Sequence, residues 1–188
     1  MKQGMKKTTV FTILMLVLAL SFAACSKPAE KEESTGMPNP WKDVDSAEAA
    51  AEGAGIDALV IADGIKLGLG DVKVSSYRCM DGMIEAVIEF PASQLTVRKG
   101  RPDTASEEGD ISGDYNDYSL TWSEGIDSLN VKCQGNRDAE AIKTIWQSGD
   151  YLYSINAEGL GGDEDFGLSM DDLAKLVSGI DDVAKKGN

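Results

Sequence analysis

The chain has 188 residues, with 18 Lys and Arg against 32 Asp and Glu and no histidine. That length suits one domain with its own core, and 42% hydrophobic against 27% charged residues excludes wholesale disorder. A net charge of −14 argues against nucleic-acid backbones as partners, and the lack of histidine excludes Ser-His-Asp and Cys-His catalysis and most zinc sites.

Lys2, Lys6 and Lys7 form a cationic start, Thr8 to Ala24 an uncharged, mainly apolar run, and Ala23-Ala24 a small-residue step before Cys25. The run is shorter than the ~20 residues that span a bilayer comfortably, so residues 1–24 read as a cleavable export signal. Phe22-Ala23-Ala24-Cys25 resembles a bacterial lipobox, with Phe22 where an aliphatic residue is usual. The resemblance implies that Cys25 is diacylated and becomes the first residue of the mature protein, whose net charge is then −17. Each buried methylene contributes ~0.8 kcal/mol, so two acyl chains hold where one leaks away. The expected location is the extracytoplasmic face of the cell membrane. Residues 25–37 are the lipidated cysteine and a polar tether (SKPAEKEESTGM) with no apolar periodicity. Residues 38–188 are expected to be one domain, entered through Asn39-Pro40-Trp41 as the chain docks on the folded body.

Asp45 to Gly55 (DSAEAAAEGAG) reads as a helix, with Asp45 as N-cap, Glu48 completing a capping box and Gly53/Gly55 ending it. Ala58–Ile61 and Ile65–Leu69 read as a hairpin around Asp63-Gly64. Period-two alternation follows through Val72 and Val74; Ile84, Ala86, Ile88 and Phe90; Leu95 and Val97; Tyr118, Leu120 and Trp122; and Leu129, Val131 and Cys133. Ala141–Trp146 and Tyr151–Ile155 flank a Ser148-Gly149-Asp150 turn. Ser169 and Asp172 form a second capping box ahead of Met170, Leu173, Leu176, Val177 and Ile180 at helical spacing. Connections this short force antiparallel neighbours. The expected fold is α+β: a curled antiparallel meander of six to eight strands, with an N-terminal and a C-terminal helix packed on one face.

Two acidic loops interrupt this pattern, Asp103 to Asp117 and Glu158 to Asp165. Carboxylate-rich loops invite calcium, but counting from Asp114 or from Asp163 breaks EF-hand spacing at the fifth and sixth positions. They read as solvated loops, and no metal or cofactor is expected. Asp110, Asp114, Tyr115 and Tyr118 are the candidate interaction loop. Asp110, Asp114 and Glu124 are the carboxylates a glycoside hydrolase would use. Trp41, Trp122, Trp146, Tyr151 and Tyr153 read as packing, with Tyr115 and Tyr118 as exposed contacts. Cys79 and Cys133 remain once Cys25 is lipidated; they either form a disulfide, for ~4 kcal/mol in the chain-entropy model, or stay unpaired. Phase favours the second, since Cys133 runs with Leu129 and Val131 but Cys79 with Lys73 and Ser75.

Lipobox Cys25, Asn39-Pro40-Trp41, Asp110-Ile111-Ser112-Gly113-Asp114-Tyr115, Trp146 before Gly149-Asp150-Tyr151, Tyr153-Ser154-Ile155 and Leu168-Ser169-Met170-Asp171-Asp172-Leu173 together resemble an uncharacterised lipoprotein family, a domain of unknown function, of Gram-positive gut anaerobes. The resemblance spans Pro38 to Ile180 and supplies no functional residue. Its layout is similar to extracytoplasmic sensor domains, which implies binding or regulation. The expected function is therefore a non-enzymatic, surface-tethered binding or interaction module, its partner an envelope protein or a small ligand. The alternatives are a carrier of an apolar ligand and a carboxylate-dependent envelope glycoside hydrolase.

Overall fold

A computed structural model describes residues 39–106, 109–161 and 166–181. The export signal, Cys25 and the tether lie outside the described residues, as do Glu107, Glu108, Gly162 to Asp165 and the tail from Asp182. The chain divides after Asn39, and every described strand and helix belongs to the unit that begins at Pro40.

Eight strands form one open antiparallel sheet: β1 (Lys42–Val44), β4 (Val74–Met80), β5 (Met83–Phe90), β6 (Ser93–Gly100), β7 (Leu120–Ile126), β8 (Leu129–Gly135), β10 (Lys143–Ser148) and β11 (Tyr151–Gly159). Two small ribbons, β2 (Lys66–Leu67) with β3 (Gly70–Asp71) and β9 (Glu140–Ala141) with β12 (Leu168–Ser169), complete the strands. The helices are α1 (Ala47–Ala54) and α2 (Met170–Gly179). The α+β class with a helix near each end of the domain is as the sequence predicts.

The sheet order is β1-β4-β5-β6-β11-β10-β8-β7. Neighbours in sequence pair throughout, except that the chain leaves β6 in mid-sheet and restarts at the far edge as β7. β6 and β11 then meet through an eight-residue register, Ser93↔Gly159 to Gly100↔Leu152. The chain between β6 and β7 must therefore cross three strands, and its residues Asp110 to Asp114 lie over the face opposite the helices, where Arg98, Lys143 and Asn156 hold them.

The helix-side face carries the core. Ile84, Ala86, Ile88, Leu95, Val97 and Ile155 are buried there, with Leu173, Leu176 and Val177 of α2 and Ala50 and Ala54 of α1 against them. Each fully buried Leu or Ile contributes ~1.5–3 kcal/mol relative to exposure. Trp146 and Tyr153 stack at 5.3 Å in this layer.

Local details differ from the sequence expectation in three places. The N-cap of α1 is Ser46, not Asp45: its Oγ accepts from Ala49 N–H at 3.2 Å, and Gly55 closes the helix at φ 66°. The early hairpin turns at Gly68-Leu69, between β2 and β3, and not at Asp63-Gly64, because Ile61 pairs with Ile180 at the end of α2. Finally, the register slips between Val74 and Ser76, so Ser75 is an extra residue. That bulge reverses the phase of β4 and turns Cys79 inward, opposite Ile84.

Both cysteines are thus buried on the same face, and both are free. Four strands, β5, β6, β11 and β10, lie between theirs, which is ~24 Å of sheet and far beyond disulfide reach. The possible Cys79–Cys133 disulfide is ruled out.

Burial pushes the Cys133 thiol up to about 12 from its ordinary 9.0, with the Glu124 carboxylate adding to the shift. Burial also raises the Tyr118 and Tyr153 phenols. In each case the unfolded chain releases its proton at lower pH than the folded one. These contributions are therefore fully present below the unfolded pKa values and are lost as pH rises through and above ~9, at up to ~1.4 kcal/mol per pH unit for each group. We expect urea midpoints to fall above pH ~9 and Cys133→Ala to flatten the first part of that fall. An equally steep fall in the variant would exclude the thiol as its source.

Candidate functional site

Because the side-chain period of a strand is two, the residues alternating with the core line the second face. The register aligns them as rungs. Arg78, Glu85, Arg98 and Ser154 form the first across β4, β5, β6 and β11; Ser76, Val87, Thr96 and Asn156 form the second; Glu89, Gln94 and Glu158 form the third. Apart from the buried Ser154, these rungs floor an open cleft of about 1210 Å³, walled by Ser112 to Asp114 and Asn116 to Tyr118 of the crossing segment.

The first rung is an ionic cluster. Glu85 is 1% exposed, and each of its oxygens accepts from one guanidinium: Oε1 from Arg78 Nε, and Oε2 from Arg98 Nε at 2.7 Å. Arg98 Nη1 also donates to Ile111 O at 3.0 Å. The Trp41 ring lies 4.7 Å from the Arg78 Cζ and 5.2 Å from the Arg98 Cζ, close enough for cation–π attraction to both. The docking role expected for Pro40-Trp41 is met here, on the charged face and not on the core.

The crossing segment is held by its own polar side chains and by the floor. Asp110 Oδ1 accepts from Ser112 N–H, Ser112 Oγ from Asp114 N–H, and Asp114 Oδ1 from Asn116 N–H, an i to i+2 staircase at 2.6, 3.1 and 2.9 Å. Lys143 Nζ donates to Asp110 Oδ2 and Asp114 O, and Asn156 Nδ2 donates to Ser112 O. Gly113 meets the approach of the Arg98 guanidinium at φ 68°, where a Cβ would collide with Nη1.

This geometry divides the expected interaction loop: Asp114 and Tyr118 wall the cleft, whereas Asp110 and Tyr115 do not line it. Asp110 is an internal anchor for Lys143, and Tyr118 is half-buried, with its hydroxyl donating to Asp114 Oδ2 and its ring 5.7 Å from Lys143 Nζ. Tyr115 alone of the four stands free, at 92% exposure, and it does not line the cleft. Glu124 is brought to neither Asp110 nor Asp114: its strand partner Val131 points to the helix side, whereas the Asp110–Lys143 pair lies on the other.

No family model, curated protein or solved structure matches the chain. Among the described residues no group of three acidic or thiol side chains gathers to hold a metal, and no helix is long and apolar enough to cross a membrane.

The site residues that sequence reasoning missed are Arg78, Glu85, Arg98, Asn156, Glu89 and Glu158. Their alternation with core positions is visible in the sequence, but it has the same form as a strand face open to water.

Proposed function

We propose that this protein is a membrane-anchored extracytoplasmic lipoprotein whose folded domain is a non-enzymatic binding module, holding a hydrophilic ligand in the cleft of the second sheet face. One observation carries the reading: a cleft of about 1210 Å³ floored by charged, amide and hydroxyl side chains on four adjacent strands. Side chains fixed on paired strands lose little freedom when a ligand arrives, which favours recognition. A carrier of apolar ligands needs apolar walls, whereas most of the side chains that line this cleft are charged, amide or hydroxyl-bearing. The aspartates that a hydrolase reading would use, Asp110 and Asp114, are each engaged at both oxygens, which leaves neither at liberty as acid or base. The anchor rests on Phe22-Ala23-Ala24-Cys25.

Two measurements test these halves separately. Cys25→Ser should move the protein from the membrane fraction to the soluble one; retention in the membrane would refute lipidation. The full chain should melt higher with at least one member of a panel of hydrophilic sugars, amino acids and short peptides. A ligand at ~100 times its dissociation constant adds ~2.7 kcal/mol, or ~5–10 °C here. Thr96→Trp, which fills the middle of the floor, should abolish that shift. A shift that survives the substitution would place the ligand elsewhere.

A further inference from the structure

Resting on that reading, the geometry points to a ligand class: we propose that the cleft takes a short, extended peptide with both ends free, its carboxylate at Arg78 and its ammonium at Glu89 and Glu158.

Charge and hydrogen-bonding capacity are unevenly spread along the floor. At the first rung Arg78 uses only its Nε, on Glu85 Oε1, and its two terminal nitrogens have no partner among the described residues. They form an open fork of donors, half-exposed and backed by the Trp41 ring. Asp43, opposite Arg78 on β1, is exposed and makes no ion pair with it. A planar fork of this kind matches a carboxylate in bidentate geometry.

At the third rung the situation is reversed. Glu89 and Glu158 are exposed and flank Gln94, with no basic residue on the rung. Two like charges on one rung disfavour each other, and an ammonium placed between them relieves both. The middle rung is neutral, with Val87 and Thr96 at its centre.

Spacing sets the length. Glu85 and Glu89 are four residues apart on β5, as are Arg98 and Gln94 on β6, so the two rungs are ~13 Å apart along the strands; Arg78 lies two strands to the side of Gln94, which makes the span from Arg78 to the centre of the third rung ~16 Å. An extended peptide covers ~3.3–3.6 Å per residue, which makes four to five residues the best fit. A single amino acid is too short to touch both ends, and a polyamine leaves the Arg78 fork unused.

The test is isothermal titration calorimetry of the full chain at low salt with tetra-alanine and its N-acetylated, C-amidated and doubly blocked forms. Free tetra-alanine should bind at least tenfold more tightly than either singly blocked form. Arg78→Met should erase the difference between acid and amide, and Glu89→Gln/Glu158→Gln the difference between amine and acetyl. Arg98 still pairs Glu85 in the first variant, and both glutamates are exposed in the second, so folding is preserved. Equal binding of all four forms, or tighter binding of the amide, would overturn the peptide proposal while leaving a polar binding cleft in place. The same holds if no form binds but a sugar from the panel raises the melting temperature of the full chain and not of Thr96→Trp. Silence of every peptide and of the whole panel would overturn both readings.

Discussion

Asp181→Ala is expected to lower the stability of the folded domain by ~3 kcal/mol and its melting temperature by ~10 °C. Asp181 follows α2 at φ 52° and locks the helix end to the sheet and to the early segment. Its Oδ2 accepts from Lys99 Nζ at 2.6 Å and from the Tyr153 hydroxyl, its Oδ1 accepts from Val60 N–H, and its own N–H donates to Val60 O. Lys99 is 3% exposed and, among the described residues, its ammonium otherwise meets Ala58 O and the rings of Tyr151 and Tyr153. Removing Asp181 leaves an ammonium in the core layer without its counter-charge, and that uncompensated charge, more than the lost bonds, sets the size of the effect. Two further variants separate the causes. Asp181→Asn tolerates the left-handed backbone and keeps an acceptor for Val60, so it isolates the charge. Lys99→Met in the Asp181→Ala background should regain much of the loss. If the double variant is no more stable than Asp181→Ala, desolvated charge is not the reason. Thermal unfolding followed by circular dichroism measures all three.

Glu85→Ala should cost ~3–5 kcal/mol in urea unfolding and should abolish ligand binding in the cleft. The two guanidiniums held by Glu85 approach it from opposite sides, Arg78 from β4 and Arg98 from β6. Without it they face each other across one strand beneath Trp41, and among the described residues Arg98 retains Ile111 O as its acceptor. Glu85→Gln keeps the shape and one acceptor oxygen and should cost about half as much. Added salt should recover part of the loss in Glu85→Ala by screening the arginine pair, and should do little for the parent protein. A cost below ~1 kcal/mol would show that the rung is held by packing of its aliphatic stems and not by charge.

The two clusters share a feature that decides what is legible in the sequence. Each joins residues far apart along the chain, such as Lys99 with Asp181 or Arg78 with Arg98, and none of the four departs from what a solvated strand face or a helix terminus ordinarily carries. The staircase of Asp110, Ser112, Asp114 and Asn116 is different, since its bonds run between near neighbours and its residue types are those that favour such turns. What the sequence hides there is destination: the loop reads as solvated, and Lys143, Asn156 and Arg98 draw it onto the sheet.

Alternation in Ile84 to Phe90, Leu95 to Val97 and Leu129 to Cys133, together with the Ser169 cap of α2, is enough by itself to determine an antiparallel α+β domain with both helices against one apolar face. These signals are local, because periodicity and capping act within a few residues of chain. Tertiary structure alone decided that β11 sits beside β6 and that the segment after Gly100 therefore crosses the second face. It alone decided that a bulge at Ser75 turns Cys79 inward. The physical reason is that every strand edge offers the same backbone donors and acceptors. Which edges meet is settled by the simultaneous packing of the whole core, and only that pairing turns four ordinary polar strand faces into the floor of one cleft.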